Sequence, residues 1–506
     1  MNPTPELFPK DIHNETLLAN VHPRDWENPD PAARYDLVVL GGGTAGLVSA
    51  AGAAGLGARV ALVERHFLGG DCLNFGCVPS KAILRSAAVL AEIRQASRFG
   101  VRASSDPEID FESVMSRMRE IRARISPNDS APRFRDELGV DVFLGTGRFS
   151  NARSLAVADD TLHFRKAVIA TGARPILPGI PGLAEAAPLT NETVFSLTEL
   201  PRRIAILGGG PIGCELAQAF ARFGSETHLI EQSSQFLERE DAEAAKTLEE
   251  SLRSDGVAIW QESQMTRVEK KNDERHIRLE KSGETFDLTV DAILVAAGRA
   301  PNVENLGLED AGVEYSRHGV TVDDRLRTTN RRIFAAGDVC MEQKFTHAAD
   351  FAARTVIQNA LFFGRKKLSA LTIPWCTYTD PEIAHVGLSE SEARTKGIAI
   401  DSFTRYFSEV DRALTDGEES GFVKIHVAKG GDRIVGAVIV ARHAGDLIGE
   451  ITLAMAAGTG LARLASVIHP YPTRAEAIRQ CGDAYNRTRL TPRTKRLFER
   501  FFGIFR

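Results

Sequence analysis

Gly41 stands 23 positions before Glu64, Gly208 stands 23 positions before Glu231, and around both pairs the chain repeats one order of elements. "YDLVVLGGGTAGLVSAAGAAGLGARVALVER" and "RIAILGGGPIGCELAQAFARFGSETHLIEQ" each run from a short apolar strand through a glycine turn and a helical stretch into a second strand that leads to an acid. Each reads as a βαβ unit, and the pair is a long-range duplication of architecture, not a short-period repeat. A parallel α/β sheet is therefore expected twice. The 506 residues exceed one compact core and suggest about three domains.

The glycine spacing carries a binding chemistry. Gly41, Gly43 and Gly46 allow the tight turn, the close approach of backbone to a pyrophosphate and the packing of helix on sheet, and Gly208, Gly210 and Gly213 repeat the set. Phosphates are expected at the helix N-terminus, where unpaired N–H groups and the helix dipole favour anions. Glu64 would accept hydrogen bonds from an adenosine ribose. Two such units imply two dinucleotides, most economically a bound flavin and a diffusing nicotinamide. Glu231 suits a 2′-hydroxyl and repels a 2′-phosphate, and "QSSQFLE" after it offers no early arginine, so NADH is favoured. Three further turns leave apolar strands: "VIATGARP" with Thr171 and Gly172, "LVAAGRAP" with Gly298, and "IFAAGDV" with Gly337 and Asp338. All three are assigned to cofactor binding. Beyond about residue 370, "GFVKIHVAKGGDRIVGAVIVA" alternates like antiparallel hairpins and helical sequence follows, as in a separate α+β domain.

Composition removes several classes. A net charge of −5 supplies no global basic field for nucleic acid. No apolar run reaches membrane-spanning length, and the polar, proline-rich start lacks the pattern of a secretory signal. A cytoplasmic, soluble protein is expected. Six cysteines are too sparse for a disulfide framework.

Two of those cysteines sit in "GGDCLNFGCVPSK", residues 69–81. A zinc site wants four ligands, and only this one pair is present, so no metal site is assigned. In a regular helix, positions five apart lie about 8.7 Å from each other, too far for a disulfide. If Cys72 and Cys77 bridge, the segment must bend, and Gly69, Gly70, Gly76 and Pro79 provide the freedom and the break. So small a loop adds little stability; the pair suits an electron store better than a staple.

"GGDCLNFGCVPSKAIL", "GGGTAGLVSA", "GGGPIGCELAQAF", "AAGRAPN" and "AAGDV" together resemble the pyridine nucleotide-disulfide oxidoreductases of the glutathione reductase, dihydrolipoamide dehydrogenase and mercuric reductase group, over roughly residues 35–485. The resemblance implies an α/β fold class: two Rossmann-like dinucleotide-binding domains, for FAD and NAD(P), plus a C-terminal α+β dimerisation domain, in a homodimer. The expected boundaries are an extension over 1–34, FAD-binding segments over 35–185 and 301–370, an NAD(P)-binding domain over 186–300, a dimerisation domain over 371–485 and a basic-aromatic tail over 486–506. By the same likeness Cys72 is the outward thiol that attacks substrate and Cys77 the thiolate against the flavin. Lys81 is the lysine near the flavin N5, Glu215 its ion-pair partner, and Asp338 the acid on the ribityl chain. The implied route runs from NAD(P)H through FAD to a Cys72–Cys77 disulfide, which leaves a dithiol for substrate.

The substrate turns on "IHPYPTRAEA", residues 468–477. Disulfide-reducing members carry a histidine directly before Pro-Thr, oriented by a glutamate. Here Tyr471 takes that place, with Glu476 at the glutamate's position and His469 two residues upstream as a substitute base. A phenol near pKa 10 is a poor base at neutral pH, whereas transfer of a soft metal ion to thiolates needs less proton shuttling. Tyrosine there is similar to mercuric reductases. Those enzymes also resemble one another in a C-terminal vicinal cysteine pair, which this chain's ending, "RTKRLFERFFGIFR", lacks. The leading expectation is Hg(II) reduction. The alternatives are a dihydrolipoamide dehydrogenase or other disulfide reductase, and a flavin-based redox sensor. The mixed basic and aromatic tail suits an anionic membrane surface, and equally a helix docked on the dimer.

Overall fold

A computed structural model describes residues 5–102 and 107–506, in two compact units: Met1–Gln232 with Ala258–Ala370, and Ser233–Val257 with Leu371–Arg506. In the first unit, β1 (Tyr35–Leu40) is central to a parallel sheet, flanked by β2 (Val60–Glu64) and then β3 (Asp141–Leu144) on one side. On the other side stand β4 (Asp160–Ile169) and then β5 (Ile333–Ala335), which arrives from far along the chain. β1 and β2 are near-continuous runs of valine and leucine, as expected of a sheet buried on both faces. Between β1 and β2 runs α1 (Thr44–Gly55), whose small residues let it lie close to its neighbours.

The second copy of the motif builds its own parallel sheet. Its strands follow the order Ala258–Trp260, Glu226–Ile230, Arg203–Leu207, Ala292–Val295. Its helix, α3 (Pro211–Phe223), is buried from Gly213 to Phe223, the polar Glu215, Gln218 and Arg222 included. A three-stranded antiparallel sheet spans Ser263–Lys271, Glu274–Lys281 and Glu284–Val290.

The N-terminal extension holds an element that its sequence does not advertise. Ile12–Val21 is helical, capped by the Asp11 carboxylate on the Asn14 amide at 2.8 Å, with Leu17, Leu18 and Val21 buried. Asp11 pairs with the buried Arg119, and the Asn14 side chain accepts from Arg122 at 2.7 Å.

The second unit is an antiparallel five-stranded sheet in the order Pro374–Thr377, Glu382–Gly387, Ile434–Ala441, Phe422–Ala428, Ile400–Tyr406. Ala444–Ala456 and Glu476–Thr488 are helices, and their apolar residues Ile448, Ile451, Ala477 and Ile478 join the core cluster formed with this sheet. Among the described residues no helix is long and apolar enough to cross a membrane.

Candidate active site

The cysteine segment is helical on both sides of a break. Gly70–Asn74 is a short helix carrying Cys72, Phe75 and Gly76 interrupt it, and α2 (Cys77–Gln95) begins at the second cysteine. Gly70 has a φ of +55°, and a Cβ there would meet the Gly43 Cα at 2.6 Å. Only glycine lets the cysteine segment lie this close to the first glycine loop.

Both cysteines are thiols in this structure, joined by a hydrogen bond. That bond, received from Cys72, is the largest cause holding the Cys77 thiol below the ordinary range; the Thr346 hydroxyl, 3.4 Å from Cys77 Sγ, and the Lys81 charge add to it, against the effect of burial. Cys72, as the donor, is pushed up by the same bond and by burial. The shared hydrogen and the Lys81 charge together favour one anionic sulfur within the pair. One helical turn beyond Cys77, Lys81 Nζ lies 2.9 and 3.1 Å from the Glu215 carboxylate of α3. Glu215 is 5% exposed and Lys81 35%.

Beside the cysteines lies a cleft of ≈ 470 Å³. Its lining brings together Gly41, Gly43, Glu64, Cys72, Thr171, Gly172, Gly337 and Asp338 from four separate stretches of chain. Gly46 sits beneath the loop, buried in α1. The Glu64 carboxylate accepts from the Gly42 amide at 2.5 Å and the His66 amide at 2.6 Å, and burial pushes its pKa up against those bonds. Burial also raises Asp338, offset in part by Arg299.

The second loop repeats the first. The Glu231 carboxylate accepts from the Gly209 amide at 2.7 Å, Gly210 caps α3, and Gly208 and Gly298 adopt positive φ. Neither Gly43 nor Gly210 supplies a side chain to cap its helix, so each helix offers its first N–H groups to an anion. These features fit a dinucleotide pyrophosphate. The Asp338 carboxylate in the first cleft fits the hydroxyls of a flavin's ribityl chain. When bound there, FAD supplies the two-electron relay between nicotinamide and thiols.

Several groups lie outside the sequence reading. Arg299 pairs with Asp71, the residue before Cys72, stands 3.7 Å from Asp338, and donates to the Ala173 carbonyl at 2.7 Å. It thereby ties the cysteine segment to two strand-end turns. Arg122 donates to the Asn74 carbonyl, between the cysteines, at 2.8 Å. Of the residues in these contacts, only Arg122 lies outside the sequence motifs that mark the glycine turns and the cysteine pair.

In the second unit, Tyr471 is 71% exposed and donates to Asp411 at 2.9 Å, a bond that raises its pKa. Glu476 does not meet His469; its carboxylate receives Arg479 at 3.1 Å. The carboxylate on His469 is Glu450, 3.0 Å from Nε2, while Nδ1 lies 3.1 Å from the Val467 carbonyl. The reason is local: Glu476 opens its helix and pairs with Arg479 three residues on, while Glu450 comes from the preceding long helix. Cys376 is partly buried and Cys481 fully so.

The pyridine nucleotide-disulphide oxidoreductase family model matches residues 35–355, and that family's dimerisation domain matches 373–481. A mercuric reductase of Staphylococcus aureus is 33% identical over 449 residues, covering 88% of this chain and 81% of that protein. A dihydrolipoyl dehydrogenase of Bacillus subtilis is 34% identical over 463 residues, covering 88% and 97%. Among solved structures, the HOCl-induced flavoprotein disulfide reductase RclA from Escherichia coli superposes with a TM-score of 0.78 at 30% identity, over 88% of this chain and 99% of that one. Its Cu(II) complex superposes with a TM-score of 0.79 at 29% identity, over 90% and 100%. The dimerisation domain fits a homodimer. Glycine loops, cysteine pair and these matches together make the chain a member of the class I pyridine nucleotide-disulfide oxidoreductases, enzymes that use FAD and NAD(P)H.

Proposed function

We propose that this enzyme is a cytoplasmic, NADH-preferring reductase of soft metal ions held by thiolates, most like a mercuric reductase. The observation that carries the reading is the Cys72–Cys77 pair beside the cleft, with the Thr346 hydroxyl and the Lys81–Glu215 ion pair set against it. The Cys72 hydrogen bond, Thr346 and Lys81 all lower the Cys77 pKa and so favour an anionic sulfur in the pair. Cys72 borders the cleft assigned to the flavin, and by the family likeness it is the sulfur that meets substrate. Thiolates select soft cations. Lys81, paired with Glu215, keeps a cation one turn from Cys77, where it favours negative charge on sulfur or on a reduced flavin. Glu231 supports NADH by disfavouring a 2′-phosphate.

The residues near the C-terminal Pro-Thr support metal over disulfide as substrate. Tyr471, whose hydroxyl donates to Asp411 and whose pKa that bond raises, is no base at neutral pH. Both ring nitrogens of His469 already face acceptors, Glu450 and the Val467 carbonyl, which leaves neither for a substrate thiol. RclA, which shares this fold, has also been solved as a Cu(II) complex. The test is anaerobic reduction with NADH and with NADPH, followed by turnover with Hg(II) or Cu(II) in excess thiol, with lipoamide and with oxidised glutathione. NADH oxidation stimulated by metal ion and lost in Cys72→Ser is the expected result. Brisk lipoamide or glutathione turnover without metal stimulation, halted by His469→Ala, would replace it with a disulfide reductase.

A further inference from the structure

The chain ends in a helix, Pro492–Gly503, that buries none of its residues. Ile504 keeps helical backbone angles beyond it, at φ −71° and ψ −27°. At about 100° per residue, Leu497, Phe498, Phe501, Phe502, Ile504 and Phe505 fall within one arc of roughly 160°. These six are 48 to 77% exposed. Phe501 packs edge-on against both Phe502 and Phe505, at 5.7 and 5.2 Å between ring centroids, so the aromatic face is preformed.

The opposite arc carries Arg493, Lys495, Arg496, Arg500 and Arg506 against one acid, Glu499. On the same wheel Arg493 and Arg500 border one edge of the apolar arc, and Lys495 borders the other. No salt bridge joins any of the five to a carboxylate among the described residues, although such pairs occur throughout the rest of the chain. A groove in a protein would bury the apolar arc against side chains and need acids along both edges. A bilayer interface takes the apolar arc into its acyl boundary and meets the flanking cations with lipid phosphates. We propose that residues 490–506 are an in-plane anchor that holds the enzyme on the surface of an anionic membrane.

The experiment is co-sedimentation of the full-length flavoenzyme with vesicles of phosphatidylcholine mixed with phosphatidylglycerol, beside pure phosphatidylcholine. The enzyme should pellet with the anionic vesicles and be released by high salt. A chain ending at residue 489 should stay in the supernatant with NADH oxidation and dimer size unchanged. Phe501→Glu with Phe505→Glu should cut partitioning roughly tenfold or more, since each ring gives up its burial. Arg493→Gln, Arg496→Gln and Arg500→Gln together should remove the preference for anionic over neutral lipid. Equal partitioning of the full and shortened chains overturns the proposal. So does a full chain that binds neither vesicle, with shortening converting dimer to monomer: the helix would then belong to the subunit interface.

Discussion

The two glycine loops are nearly superimposable in their local detail and do different work. In the first, a Cβ on Gly46 would lie 1.8 Å from the Gly41 carbonyl oxygen; in the second, a Cβ on Gly213 would lie 1.9 Å from that of Gly208. Gly41 and Gly208 hold φ of +110° and +111°. Each loop's acid, Glu64 or Glu231, accepts from the loop's second glycine. The divergence lies in the helices that follow. That of the first loop, rich in alanine and glycine, packs on Thr346–Leu361, where a Cβ on Gly52 would strike the Ile357 side chain at 2.6 Å. Its N-terminus forms part of the floor of the cleft. The helix of the second loop packs on the Cys77 helix and presents Glu215 to Lys81. One copy opens onto the cleft, and the other also backs the cysteine helix with Glu215. Local sequence determines a loop's shape; the surface its helix meets determines its use.

Substitution at the buried glycines should separate these uses most sharply. Gly46→Ala and Gly213→Ala each force a methyl onto a backbone oxygen, at a cost of about 3 kcal/mol. Gly46→Ala should be purified with little flavin, which absorbance and fluorescence measure. Gly213→Ala should keep its flavin and lose affinity for NADH, seen as a raised KM. Flavin loss of equal extent in both would erase the functional distinction between the copies.

The next effect tests that backing. Lys81→Met leaves the Glu215 carboxylate without its ammonium partner at 5% exposure. Because Lys81 itself is one-third exposed and partly hydrated, the cost should be about 2 kcal/mol, short of that for a fully buried pair. Urea unfolding reads it, and Lys81→Met with Glu215→Gln should recover much of it. The same change removes a cation that lowers the Cys77 pKa, so the thiolate signal of the reduced enzyme should titrate at higher pH than in the parent. An unmoved titration would confine the pair to a structural role.

What could be read from sequence follows the same division. The glycine loops, the bend between the cysteines and the antiparallel texture after residue 370 are local patterns, in which spacing alone carries the information. Arg299 binding both Asp71 and Asp338 is not local: its partners are 228 and 39 positions away, and no periodicity marks an arginine in a strand-end turn. Thr346, beside Cys77 from 269 positions off, is silent for the same reason. The helix Ile12–Val21 is too short and too evenly mixed to show a face, and its stability comes from Asp11 and Asn14 reaching Arg119 and Arg122. Glu450, the carboxylate on His469, is silent too, because no spacing tells which helix carboxylate a loop histidine will face.

The smallest expected effect separates the two acids. Glu231→Gln keeps an oxygen able to accept from the Gly209 amide, now held at 2.7 Å, so the loop should persist while its charge is gone. Two unit charges 4 Å apart interact by roughly 1 kcal/mol in water and about 4 kcal/mol at a protein surface. Removing a repulsion near the lower end should raise kcat/KM for NADPH relative to NADH about tenfold. Glu64→Gln alters the equivalent acid of the first loop, so it should leave coenzyme preference unchanged and show itself in flavin retention. The two variants together form the control that either alone lacks, since general damage to a βαβ unit would lower both coenzymes alike. A preference that moves with Glu64→Gln and not with Glu231→Gln would mean that the loops had been assigned to the wrong dinucleotides.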